Sequence, residues 1–108
     1  RMNHASLIEV DMSNSNLTRA DMNYSVLIRG NFYAAKMSAI NLNYASLNEA
    51  ILTEADLTIS YLNYADFTAA DLKFTEFHSA SHVGAIFTNS YWFHTLWSDG
   101  IRYDTNQG

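Results

Sequence analysis

Residues 55–72 run Ala55-Asp56-Leu57-Thr58-Ile59, Ser60-Tyr61-Leu62-Asn63-Tyr64, Ala65-Asp66-Phe67-Thr68-Ala69 and Ala70-Asp71-Leu72. The stretch repeats every five residues: a small residue, usually an acid, a large apolar residue, then two variable ones. Stepping outward by five from Leu57 extends the large apolar series to Met2 and to Trp97. Met2, Met12, Met22 and Met37 occupy it, with Leu7, Leu17, Leu27, Phe32, Leu42, Leu47, Leu52, Leu57, Leu62, Phe67, Leu72, Phe77, Phe87, Trp92 and Trp97. Only His82 breaks the run. Two residues earlier the chain is small throughout, as at Ala5, Ser25, Gly30, Ala45 and Ala55, with Val10 and Ile40 as exceptions. Between the two stands Asp or Asn in many copies, including Asp11, Asn16, Asp21, Asn31, Asn41, Asp56, Asp66 and Asp71.

A period of five fits neither a helix, which repeats near 3.6, nor a strand, which repeats at 2. It fits a short extended side followed by a corner. The small and the large residue, two apart, both point inward, as strand alternation requires. The expected core is therefore the leucine and phenylalanine series, Leu7 to Phe87.

This pattern of Ala, Asp or Asn, Leu and two free positions resembles the pentapeptide-repeat family. Ala20-Asp21-Met22, Ala55-Asp56-Leu57, Ala65-Asp66-Phe67 and Ala70-Asp71-Leu72 carry the resemblance, which spans residues 2 to about 97. The resemblance implies an all-β fold, a right-handed quadrilateral β-helix with four pentads per coil. The short cyanobacterial members, to which this chain is similar in its Trp97-x-Asp99-Gly100 ending, mostly have no assigned biochemical role.

A coil of twenty residues has support in the sequence itself. At that step Tyr24, Tyr44 and Tyr64 align, as do Asn3, Asn23, Asn43 and Asn63. Glu9, Arg29 and Glu49 align with alternating charge, and Ile8 falls under Ile28. Neighbouring coils place such residues ~4.8 Å apart. At that distance tyrosine rings stack, Asn amides form ladders, and opposite charges contribute roughly 0.2–1 kcal/mol per pair. Roughly five coils make a rod ~24 Å long.

The chain has 108 residues, enough for one domain, and a solenoid of this length stabilises each coil on its neighbours. It contains no cysteine, so neither disulfides nor thiolate metal sites are expected, and no proline. Eleven acids against six bases give a net charge of −5, which argues against direct nucleic-acid binding. No stretch approaches a membrane span, and no signal peptide is visible. The expected compartment is the cytoplasm, with the periplasm and thylakoid lumen left open because the chain starts at Arg1.

The C-terminal end departs from the pattern. At His82-Val83-Gly84 either the imidazole is buried against a partner group, or the coil bulges and Val83 points inward. The cost of burying an unpaired imidazole favours the bulge. Beyond Phe87 come Tyr91, Trp92, Phe93, Leu96 and Trp97, then Ser98-Asp99-Gly100 before Ile101-Arg102-Tyr103. Asp-Gly between two such runs predicts a tight hairpin. The expected organisation is a solenoid over 1–97 and a hairpin cap with tail over 98–108, Trp92 and Trp97 closing the last coil and the tail loose from Asp104. No such cap precedes Met2. That suggests a trimmed chain, a piece of a longer one, or an end covered by another subunit, including a second copy.

Chemistry is not evident. His78 and His82 are four apart but point differently on a five-residue repeat, and no third ligand accompanies them. His4 and His94 stand apart from both. Asp56 and Glu76 would neighbour one another across coils, where mild repulsion is expected. There is no phosphate loop and no nucleophile elbow. No catalytic residue, metal or cofactor is expected. The expected function is a non-enzymatic structural or interaction module that presents flat faces to a protein partner. Its candidate face is the column Tyr24, Tyr44, Tyr64. The alternative is an acidic DNA mimic directed at DNA gyrase or topoisomerase, because some members of the family protect gyrase from quinolones in that way. Against it, Arg19, Arg29, Lys36 and Lys73 interrupt the acids.

Overall fold

The computed structural model describes residues 2–97 and, for its backbone, the strand Arg102–Thr105. Every fifth residue turns a corner. His4, Glu9, Asn14 and Arg19 have φ of 62°, 61°, 58° and 61°, and the series continues in step to His94 at 50°. Across the corners from His4 to Asn89 an amide donates back to the carbonyl of the column residue, as Ala5 N to Met2 O at 3.1 Å and Ala50 N to Leu47 O at 3.0 Å. One positive φ beside that bond is the pattern of a type II turn. Glycine ordinarily takes the positive position, yet among the described corners only Gly84 is a glycine. The left-handed backbone costs ~1–2 kcal/mol for an L residue, so packing and the ladder between coils impose it.

Between corners the chain is extended for a single bridging residue. Asp11 bridges Asn31, Lys36 bridges Asp56, and Asp56 bridges Glu76, all parallel and twenty apart. Each such residue turns both its polar groups towards the preceding coil: Asn31 N donates to Val10 O at 2.8 Å, and Met12 N donates to Asn31 O at 2.7 Å. Backbone bonding thus runs between coils, and each coil closes after four corners.

The core is the single column inside. Met22, Leu27, Phe32, Met37, Leu42, Leu47, Leu52, Leu57, Leu62, Phe67 and Leu72 are wholly buried, and Phe77 nearly so. Leu7, Leu17, Phe87 and Trp92 are only partly buried. They belong to the first and last coils, which have a neighbour on one side only. Where the small position is Ser or Thr, its hydroxyl donates to a carbonyl: Ser60 Oγ to Leu57 O at 2.6 Å, Thr75 Oγ1 to Leu52 O at 2.7 Å.

The bulge expected at His82-Val83 is absent. Gly84 turns the corner in step, with φ 71°, and Ala85 N donates to His82 O at 3.1 Å. Val83 is 64% exposed and does not replace His82. His82 keeps its place in the column and is itself exposed, edge-on to Phe87 at 6.2 Å. Among the described residues no further coil covers it, so the imidazole stays wet and nothing forces a bulge.

β1 (Phe93–Leu96) pairs antiparallel with β2 (Arg102–Thr105), Phe93 opposite Thr105 and Leu96 opposite Arg102. β1 is also bonded to the coil before it, through Phe74 N to Phe93 O at 2.7 Å and Leu96 N to Thr75 O at 3.0 Å. The turn expected at Ser98-Asp99-Gly100 lies outside the described residues, as do Arg1, Ile101 and residues 106–108. Asp104 and Thr105, expected in a loose tail, belong to β2. Trp97 packs on Phe77, Phe87 and Trp92 at 4.8, 4.9 and 4.6 Å between ring centroids.

Candidate interaction face

Tyr24, Tyr44 and Tyr64 each stand at a corner, at φ of 61°, 63° and 61°. Inter-coil bonds from their own amides fix their spacing, Tyr24 N to Asn43 O and Tyr44 N to Asn63 O, both 2.9 Å. The rings stack nearly parallel, 4.7 Å apart for Tyr24–Tyr44 and 5.2 Å for Tyr44–Tyr64. Each ring remains about half exposed. Two residues outside the expected column extend it. His4 stacks on Tyr24 at 4.9 Å. At the other end the Tyr64 ring lies against Gly84, where an added Cβ would come within 2.5 Å of it. Both sit at the same twenty-residue step, so spacing points to them where a match by residue type does not.

The Asn row beside the tyrosines is bonded differently from an amide ladder. Asn63 N donates to Asn43 Oδ1 at 2.8 Å, and Val83 N to Asn63 Oδ1 at 2.9 Å. The side-chain carbonyl of one coil therefore receives the backbone amide of the next. Asn43 N instead donates to Asn41 Oδ1 at 3.1 Å, two residues earlier. The choice follows from the residue two before the amide. An Asn or Asp there closes an Asx turn; Tyr61 or Ser81 leaves the amide to the neighbouring coil. The buried Asn23 Oδ1 is left without a hydrogen-bond donor among the described residues.

The same Asx turn explains the recurring acid. Asp56 Oδ1 accepts from Thr58 N at 3.0 Å and Thr58 Oγ1 at 2.8 Å, and Asp11 Oδ1 accepts from Ser13 N at 3.0 Å and Ser13 Oγ at 2.7 Å. A Ser or Thr two residues later adds the hydroxyl bond, but the turn forms without one, as Lys73 N to Asp71 Oδ1 at 3.1 Å shows. The Ser13 hydroxyl and amide hold the Asp11 carboxyl below its ordinary value. For Asp66, partial burial raises the carboxyl, but hydrogen bonds from Thr68 and Asn48 outweigh that and lower it overall.

Charged columns are exposed. Arg29 Nε lies 2.9 Å from Glu9 Oε2, and Arg29 Nη1 lies 3.8 Å from Glu49 Oε1. Such pairs contribute little each. His94 packs on Phe74 and Phe93 at 5.7 and 4.2 Å, away from His78 and His82. Among the described residues no three His, Cys, Asp or Glu are placed to hold a metal ion. Nor is any helix there long and apolar enough to cross a membrane.

A solved pentapeptide repeat protein from the thylakoid lumen of Arabidopsis thaliana superposes with a TM-score of 0.70 at 27% identity, over 92% of this chain and 69% of that one. A second, from Nostoc, superposes with a TM-score of 0.58 at 25% identity, over 79% of this chain and 66% of that one. No curated protein sequence matches significantly. The family model described as pentapeptide repeats matches residues 1–32, 31–58 and 50–89, in 8 copies. With that match over most of its length, the chain belongs to the pentapeptide repeat family.

Proposed function

We propose that this chain is a non-enzymatic scaffold that presents one flat face, with a single charge at Asp21, to a protein partner. Pentapeptide repeat proteins are generally non-enzymatic repeat scaffolds. We take the body to be a right-handed solenoid of roughly five coils, closed by Trp92, Trp97 and the β1–β2 pair.

The supporting observation is the side that carries the tyrosines. Tyr24, Tyr44, Tyr61 and Tyr64 are 47%, 48%, 50% and 53% exposed there. Among its outward positions from Asp21 to Gly84, only Asp21 is charged. Exposed tyrosines beside amides suit protein contact, since a rigid ring offers area at little conformational cost. A contact without charge is insensitive to salt, unlike one steered by ion pairs.

Affinity capture at low and high salt tests this, with wild type beside a Tyr24/Tyr44/Tyr64→Ser variant shown to be folded. A partner held by wild type at both salts and lost by the variant is the expected result. A partner that the variant keeps, or that salt removes, overturns it.

The DNA-mimic alternative meets an obstacle in the placement of its acids. Asp66 lies on one side, Asp71 on the next, Asp56 and Glu76 on a third, with Lys36 bridging Asp56. A mimic needs a dense field of one sign on one face. Excess protein should leave gyrase supercoiling unchanged.

A further inference from the structure

Stacked, exposed phenols have a chemistry of their own, independent of any docking partner. We propose that the tyrosine column is a site of one-electron oxidation, where Tyr24 and Tyr44 couple into dityrosine and join neighbouring coils covalently.

Three observations carry it. The rings of Tyr24 and Tyr44 are 4.7 Å apart and 4° from parallel. Both are about half exposed, open to an oxidant and to water that takes the phenolic proton. Their spacing is set by backbone bonds of 2.9 Å on both corners rather than by the rings. Two reactive groups so held meet as if at very high local concentration. Among the described residues no ring contact joins Tyr33, Tyr61 or Tyr91 to another tyrosine, although all three are exposed.

The step balances with a peroxide as oxidant. Each phenol gives up one electron and its O–H proton. The two phenoxyl radicals form a carbon–carbon bond between ring positions ortho to oxygen, Cε of each ring. The hydrogens on those carbons then move to the oxygens and restore both phenols. The peroxide takes up the two electrons and two protons and leaves as two waters. Tyr44 is shared between two stacks, and the shorter distance, 4.7 against 5.2 Å, selects Tyr24 over Tyr64.

The test is oxidation of the full chain by a haem peroxidase with hydrogen peroxide, at protein concentrations low enough to suppress coupling between molecules. Dityrosine fluorescence, intact mass and peptide mapping are read together. Expected is a monomer lighter by two hydrogen atoms, with the link mapped to Tyr24–Tyr44 and a raised unfolding midpoint. Tyr44→Phe keeps the ring stack but removes the phenol, and should abolish the intramolecular link; Tyr61→Phe should leave it unchanged. An intramolecular link that persists in Tyr44→Phe overturns the proposal. So does a wild type that forms only links between molecules, or none, under conditions that couple free tyrosine.

Discussion

The ring of Phe32 occupies the space where any side chain at residue 30 would begin. A Cβ added to Gly30 would lie 2.7 Å from Phe32 Cε2. Gly30 does not have a positive φ, so its lack of a side chain serves packing rather than the turn. Phe32 is fully buried among neighbouring coils, so its ring has little room to shift. Gly30→Ala should therefore destabilise by ~1–3 kcal/mol, as overpacking does. Phe32→Leu restores the usual size at the large position, and the double variant should recover most of that loss. Urea unfolding of both single variants and the double gives the coupling directly. Simple additivity would refute the pairing.

Burial along the axis predicts graded costs. Leu47→Ala or Leu57→Ala, both fully buried, should cost ~2–5 kcal/mol. Leu7→Ala should cost clearly less, since the first coil only partly buries Leu7. Tyr44→Ser should cost far less than Leu47→Ala and leave the circular dichroism spectrum unchanged. Equal midpoints for Leu47→Ala and wild type would contradict the inward column.

Ile59 holds a left-handed backbone, with φ 51° and 53% exposure. A β-branched residue there is a conformational outlier. Ile59→Gly relieves ~1–2 kcal/mol of that strain and adds ~0.5–1 kcal/mol of unfolded-state entropy. The expected net is a stabilisation of about 0.5 kcal/mol. Ile59→Asn, a residue that tolerates the region, should also raise the thermal midpoint. A drop for both would show that the Ile59 side chain packs more than it strains.

Asp11 and Asp66 both titrate below their ordinary range in the folded chain. A carboxyl lowered on folding adds stability above its unfolded value, roughly 3.9, and loses it as pH falls through the folded one. The contribution of these two carboxyls should thus be constant above about pH 5 and be lost as pH falls below about 4. Asp66→Asn keeps an acceptor for Thr68, much as Asn16 does for Thr18, and should make the acid-side fall shallower. Urea midpoints measured across pH check both slopes.

Much of the architecture is legible because it is written in residue size. A large residue every fifth position, from Met2 to Trp97, marks an inward column whatever surrounds it. The twenty-residue columns are legible for a similar reason. Tyr24, Tyr44 and Tyr64, or Glu9, Arg29 and Glu49, match by kind, and like stacks on like or opposite charge pairs. The candidate face can therefore be read from residue type and spacing. Its ends at His4 and Gly84 escape that reading, because neither is a tyrosine.

Other features are decided only by the assembled coils. Asn41 before Asn43 and Tyr61 before Asn63 tell which amide is left over, but the acceptor that the Asn63 amide finds, Asn43 Oδ1, lies twenty residues away and is supplied only by the neighbouring coil. His82 reads in sequence as a fault needing a bulge. It needs none, because the cost of an imidazole in the column depends on whether another coil lies above it. Sequence alone determined the register of this chain, since side-chain size and charge belong to each residue. Tertiary structure alone decided which acceptor on a neighbouring coil a leftover amide meets and which column residues are dry, since those contacts and that burial belong to pairs of neighbouring coils.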